Sequence, residues 1–405
     1  MKILTSASRI VVGTLFILSG IIKANDPLGF AYKLEEYWVE FGIGWDWLID
    51  LGVPLAAFLC VLEIVLGFAT LLGYRMKIVS KLLLLIIVFF TILTFASAVF
   101  DLVKSCGCFG DAIPLTPWQS FIKDLVLLAF ILVLYLRRNE ISEPENTTEM
   151  IPFIVIPVPL AALFSFQVDW NFPMYFTLAI LIFGFIVAFV DISKAAMATT
   201  AASVIGSVWF TIVCIQHLPA KDYRPYAVDK SIPEQMKVPE GGQPDVYENI
   251  FEYRNKTTGK VEKFDDTNYP WEDDNYEFVD RKTKLIKEGD RPKIMDFSIV
   301  APDGNDYTED FLHDPSPIFM VISYDLSSFN LDQMEEMKSF TNDCYENGAS
   351  IVGLTAATYE EMDDFRHVHQ LPIDFYSTDG TTLKTIVRSN PGLILIQEGV
   401  IKAKW

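Results

Sequence analysis

Long apolar runs fill the first half of this chain, and short alternating ones fill the second. A bilayer crossing in helical form needs about 20 apolar residues, and suitable runs cover residues 8–22, 51–73, 79–100, 118–136, 150–166, 173–191 and 197–216. After residue 217 the period shortens. Val246–Tyr253 and Lys260–Phe264 alternate on either side of a glycine-containing turn, which is a hairpin pattern. Residues 217–290 therefore read as a small β-rich subdomain with an acidic loop at 265–277. Further on, Asp296–Ile299 leads into a hairpin turn at Pro302–Gly304, and the continuous apolar run Ile318–Ser323 predicts a buried strand. Helical periodicity over 327–346, a strand at Ile351–Leu354, a helix over 358–370 and a hairpin from 393–397 and 400–404 complete a βαβαββ order. The fold class is thus an α-helical membrane bundle followed by a β-rich subdomain and an α/β domain.

Charge orients the spans. Lys2 and Arg9 precede or open the first, Arg75, Lys77 and Lys81 separate the second from the third, Arg137 and Arg138 follow the fourth, and Lys194 parts the sixth from the seventh. The alternate loops carry Glu35, Glu36, Glu40, Asp46 and Asp50, or Asp169. The positive-inside rule puts the N-terminus in the cytoplasm. Seven spans then place residues 101–117 and everything beyond His217 outside, in the periplasm of a bacterial inner membrane. That parity depends on residues 150–166, which Pro152, Pro157 and Pro159 interrupt. Trp38, Trp45 and Trp47 read as interfacial anchors, and residues 27–41 as an interfacial amphipathic helix.

Composition sharpens the division. The chain has 405 residues, 51% of them hydrophobic, and carries a net charge of −20. Residues 1–216 hold 12 basic and 16 acidic side chains, so most of the negative charge lies beyond them. An acidic outer part repels phosphate, which excludes nucleic acid as a partner. The expected partners are the lipid bilayer and a periplasmic thiol protein or another envelope protein.

Polar groups within spans are costly and point to chemistry or to buried pairing. Glu63 lies inside the second span and Asp124, beside Lys123, inside the fourth; Lys23, Asp26 and Asp101 lie near outer ends. Glu63, Lys23 and Asp124 are candidates for an intramembrane polar site, with interhelical ion pairing as the alternative. No metal site is expected: the loop around the paired cysteines offers only Asp101 and Asp111 as further ligands, and His367 and His369 read as surface residues.

Of five cysteines, Cys60, Cys106, Cys108, Cys214 and Cys344, only Cys106 and Cys108 sit close together, in Ser105-Cys-Gly-Cys-Phe-Gly-Asp111 just past the third span. Two thiols separated by one glycine can close a small strained disulfide, and strained disulfides are the more oxidising ones. Cys106 and Cys108 are therefore candidate catalytic residues for thiol–disulfide exchange. A permanent disulfide that pins the loop is the competing reading.

Residues 5–136 resemble the DoxX-like/MauE membrane family through Arg9-Ile-Val-Val-Gly13, Ser19-Gly20-Ile-Ile-Lys23, Asp26-Pro27, Leu62-Glu63 with Gly67, and the cysteine loop followed by Leu115-Thr116-Pro117-Trp118. The resemblance implies a four-helix bundle over residues 1–140, with extra spans over 141–216. It also implies a plan similar to quinone-linked thiol oxidases of the disulfide bond protein B and vitamin K epoxide reductase types, so a quinone is a possible cofactor. Those enzymes carry C-x-x-C, whereas this chain has C-x-C. Residues 291–405 resemble thioredoxin-like domains of the TlpA and peroxiredoxin kind, with Pro391 at the cis-proline position. Where that family has its cysteine pair, this chain reads Tyr324-Asp325-Leu326-Ser327-Ser328, so the domain has no nucleophile there. Asn390, Pro391, Tyr324 and Asp325 are then candidates for partner binding. Three readings follow: a thiol–disulfide oxidoreductase or accessory subunit, a membrane-anchored scaffold, and a quinone-linked oxidoreductase subunit.

Overall fold

The computed structural model describes residues 2–100, 107–239, 241–243, 246–266, 268–271, 273–287 and 289–405. It divides into two compact units, Met1–Arg224 and Pro225–Trp405.

Among the described residues, the first unit holds seven helices long and apolar enough to cross a membrane: α1 (Lys2–Asn25), α3 (Gly52–Leu72), α4 (Met76–Phe100), α5 (Pro117–Leu136), α6 (Thr147–Gln167), α7 (Phe172–Val190) and α8 (Ile192–Gln216). A shorter helix, α2 (Pro27–Glu40), follows α1; the Asp26 side chain caps it by accepting from the Gly29 amide at 2.9 Å. The proline-rich α6 is built from three pieces, Thr147–Met150, Pro152–Val155 and Pro157–Gln167, because each proline removes an amide donor.

Glycines bring α1 and α3 together. A Cβ added to Gly67 would stand 2.7 Å from the Gly13 carbonyl oxygen and 2.6 Å from Ile17, so only glycine permits this approach. Arg9 caps the far end of α3, donating to the Thr70 and Leu71 carbonyls at 3.2 and 2.7 Å with its guanidinium 3.9 Å from the Phe153 ring. At the other end, Asn25 and Lys221 exchange two hydrogen bonds, which ties the exit from α8 to the end of α1.

The amphipathic helix is present, but its apolar face packs on protein. Phe30, Ala31, Leu34 and Trp38 join a core with Ile64, Phe68 and Leu71 of α3. This corrects the anchoring role expected for Trp38; Trp45 and Trp47 remain exposed and stack on each other at 5.9 Å.

In the second unit, β1 (Val246–Asn255) and β2 (Val261–Phe264) form the expected hairpin, and β3 (Tyr276–Lys287) adds a third antiparallel strand in the order β2-β1-β3. The acidic loop is thus shorter than expected, ending where β3 begins. Then come α9 (Thr308–His313), β4 (Ile318–Ser323), α10 (Met334–Glu346), β5 (Ser350–Thr355), α11 (Tyr359–His369), β6 (Asp374–Ser377), α12 (Gly380–Ile386), β7 (Gly392–Gln397) and β8 (Val400–Lys404). The sheet order is β6-β5-β4-β7-β8; β5 is parallel to β4 and β6, and β7 is antiparallel to β4 and β8. With a cis Asn390–Pro391 bond just before β7, this is a thioredoxin-like arrangement.

Three details differ from the sequence reading. A further strand and helix, β6 and α12, precede the final hairpin; β6 has only four residues, too few to show a period. The helix expected over 327–346 begins at Met334, after a short 3-10 turn over Leu326–Ser328 that the Asp325 side chain caps. At Pro302–Gly304 the chain makes a tight turn closed by one bridge, Val300 to Asp306, without extended strands.

Candidate functional site

The membrane unit contains a cavity of about 330 Å³ among α1, α3, α4, α5 and the segment after the paired cysteines. Its walls are mainly apolar, including Phe16, Ile86, Phe90 and Leu127, and Ser19, Lys23, Glu63, Gln119, Lys123 and Asp124 also reach it.

Each polar group is placed by its helix. The close α1–α3 approach sets the Lys23 Nζ 2.6 Å from Glu63 Oε1, with both side chains almost wholly buried. Ser19, one turn back on α1, donates to Glu63 Oε2 at 3.0 Å. Lys23 also lies 4.7 Å from the Phe90 ring and 5.2 Å from Phe30, so aromatic faces share its charge. Across the cavity, Lys123 pairs with its neighbour Asp124, which accepts from the Thr94 hydroxyl at 3.1 Å. A capping box starts α5 at Thr116: the Gln119 amide donates to Thr116 Oγ1 at 3.2 Å, and Gln119 Oε1 accepts from the Thr116 amide at 3.0 Å. Pro117 at the first helical position needs no amide partner.

The structure thus brings Lys23, Glu63 and Asp124 to one cavity. Asp26, expected near them, serves instead as a helix cap. Cys106 and Asp101 lie outside the described residues. For Cys108 only the backbone is described, in the 3-10 turn Gly107–Ala112. The next residue, Phe109, lines the cavity, and Lys123 sits 5.8 Å from its ring. Sequence reading missed Ser19, Thr94, Phe109 and Gln119. The spacing of Ser19 and Lys23, one turn apart on a helix already carrying a charged residue, is a signal that could have found the first.

Asn390, Tyr324 and Asp325 meet in the thioredoxin-like domain, around the end of β4. Ser323 donates to Asn390 Oδ1 at 2.8 Å, and Asn390 Nδ2 donates to the Asp325 carbonyl at 2.7 Å and to Ser328 Oγ at 2.9 Å. The Asn390 carbonyl accepts from the Asn330 amide at 3.1 Å. These bonds fasten the loop at 325–330 to the Asn390–Pro391 segment. Lys384 lies 5.6 Å from the Tyr324 ring. Burial pushes the Asp325 carboxyl up, but hydrogen bonds from Ser327 and Ser328 outweigh it and hold the group below the usual carboxylate range. Cys344, the thiol of this unit, is buried on α10, and desolvation, reinforced by Asp343, pushes it up, away from the reactive thiolate.

Comparison with known proteins finds two matching family models. Residues 1–137 match the family model of the methylamine utilisation protein MauE, and residues 247–288 match a domain family of unknown function. Protein TlpB of Flavobacterium psychrophilum is 28% identical over 162 residues, which is 39% of this chain and 42% of that protein, so the match spans less than half of the relative. Two solved structures overlap weakly. One, from Bacteroides thetaiotaomicron, was put forward as a protein disulfide isomerase; it is 17% identical, with 27% of this chain and 74% of that one covered at a TM-score of 0.23. The other, a hypothetical protein of Sinorhizobium meliloti 1021, is 14% identical, with 26% and 63% covered at the same score. Such scores leave the fold assignment to the strand order itself. Residues 1–137 are thus similar to the MauE family, and the same chain carries a thioredoxin-like domain that has no cysteine pair at its usual position.

Proposed function

We propose that this protein exchanges thiols and disulfides across the outer face of a bacterial inner membrane, with Cys106 and Cys108 as the exchanging pair. The observation that carries the reading is the largely apolar cavity in the membrane unit, which Lys23, Glu63, Lys123 and Asp124 reach and whose wall includes Phe109, the residue after Cys108. The distribution of basic residues supports a cytoplasmic N-terminus and a periplasmic C-terminal unit.

In the exchange, a partner thiolate attacks one sulfur of the Cys106–Cys108 disulfide. The S–S bond breaks, a mixed disulfide forms, and the other cysteine leaves as a thiolate. The partner's second thiol then displaces the first cysteine. The partner ends as a disulfide, and the pair has gained two electrons and two protons. Repeating the cycle requires a two-electron acceptor. The cavity fits one of the quinone class, since its walls are largely apolar and Lys23, Lys123 and Gln119 can donate to ring carbonyls. A quinone bound there would supply a sink for two electrons and two protons. With such a ring bound, the chain's own side chains would orient it, and charge is held in the paired states seen for Lys23–Glu63 and Lys123–Asp124.

A second reading, a non-catalytic scaffold, is favoured by the Ser323–Asn390–Ser328 network, which ties down the face where thioredoxin-like domains present thiols. One experiment separates the two. In cells carrying C106S or C108S, the remaining cysteine of an exchanging pair keeps a trapped mixed disulfide with its partner, visible as a slow band that a reductant removes. Absence of an adduct in both variants leaves the pair as a structural staple and refutes the exchange.

A further inference from the structure

The three-stranded sheet ends in an open strand. β3 is an outer strand over 12 residues; β1 pairs with its inner side in regular register over residues 280–285, with bulges at Val279 and Ile286. Among the described residues its outer backbone groups meet no other segment of the chain; the Arg281 amide is taken by the Asp280 carboxylate at 2.8 Å. Phe278, Val279 and Ile286 are 56, 40 and 54% exposed. A long exposed edge with apolar side chains is a template for another strand.

The charges on β3 say which strand. Glu277, Asp280 and Arg281 lie in its first half, and Lys282, Lys284 and Lys287 in its second. A strand polarised in this way complements itself when paired antiparallel. With Lys282 on the two-fold axis of the regular stretch between the two bulges, Asp280 faces Lys284 of the second copy, and Lys284 faces its Asp280. A slip of one residue in either direction sets Arg281 against Lys282 or Lys284 and removes the acid–base pairs. The like pair left on the axis is relieved because Lys282 binds Glu252 of its own chain at 2.9 Å. A strand blunted only to stay in water needs basic residues, but not this order of them.

We propose that a second copy of this chain pairs along β3, giving one six-stranded antiparallel sheet across a two-fold axis. Confinement of both copies to one bilayer raises their effective concentration and favours the contact. The proposal does not rest on the thiol chemistry.

The test uses the full chain in lipid nanodiscs or detergent, with self-association followed by energy transfer between labelled copies. Wild type should dimerise. D280K and K284D each turn two attractive cross-strand pairs repulsive and should weaken self-association about tenfold. A one-to-one mixture of D280K with K284D should regain wild-type affinity, because every pair is then acid against base. That recovery also shows that both variants are folded. A monomeric wild type, a dimer insensitive to either substitution, or a mixture no tighter than its components would overturn the proposal. So would a different protein found on this edge in the native membrane.

Discussion

Changing Glu63 to glutamine leaves the Lys23 ammonium in the membrane interior without the carboxylate it touches at 2.6 Å. Both side chains are under 5% exposed, at 4 and 3%, so water cannot take over the charge. Removing one partner of a buried pair costs about 3–5 kcal/mol. The lower end applies here, because the Phe30 and Phe90 rings stay in place and the long lysine stem can move its head toward the interface. At roughly 2–4 °C per kcal/mol for a unit of this size, E63Q should melt about 6–12 °C below wild type. K23M/E63L removes both charges and keeps apolar volume, so it should match or exceed wild type. Size-exclusion chromatography of the fluorescently tagged protein after heating steps in detergent gives both values. E63Q melting with wild type, or K23M/E63L falling as far as E63Q, would refute the account of the pair as a buried couple that fails only when halved. The double variant also tests function. If the pair serves the cavity chemistry, K23M/E63L stays folded but no longer regenerates the Cys106–Cys108 disulfide.

Two further outcomes follow from the same structure. A phosphatase reporter active only after export should be inactive when fused after Arg138 and active after Arg224; activity at Arg138 would reverse the orientation. In the thioredoxin-like domain, the depressed Asp325 carboxyl contributes stability that is present above its unfolded value of about pH 3.9 and is lost as pH falls through the lower folded value. The difference in melting temperature between wild type and D325N should therefore shrink as the pH is taken below about 4, and a constant difference down to pH 2 would remove Asp325 from the account of that loop.

The parts legible in the sequence are those whose signal is local. Seven apolar runs became seven helices because burial in lipid demands only length and composition. The hairpin at 246–264 and the strand Ile318–Ser323 were legible from period and turn chemistry. β6 was not, since Asp374–Ser377 shows one apolar alternation and is a strand because β5 lies beside it. The role of Trp38 was misread for a related reason: an amphipathic face gives the same pattern whether it meets headgroups or the side of α3. The pairing of Lys23 with Glu63 depends on the Gly13–Gly67 approach between two helices, which no single-helix pattern contains.

The position of the buried charges bears on the choice between exchange and scaffold. Two ion pairs in a lipid-embedded bundle are a costly way to obtain stability, because apolar residues of similar volume would pack at least as well. They are also not scattered. Lys23 and Glu63 come from α1 and α3, Lys123 and Asp124 from α5, and all four meet one cavity whose wall includes Phe109. A scaffold needs a stapled loop but has no use for a cavity lined with paired charges beside it. An exchange pair has a use for both, since the two protons and two electrons taken from a partner must leave the sulfurs before the next cycle. The thioredoxin-like domain shows the opposite arrangement: its polar groups bond to one another around Asn390, and its cysteine is buried on the far element α10. Under the proposed function, exchange chemistry belongs to the membrane loop, and recognition to the thioredoxin-like face.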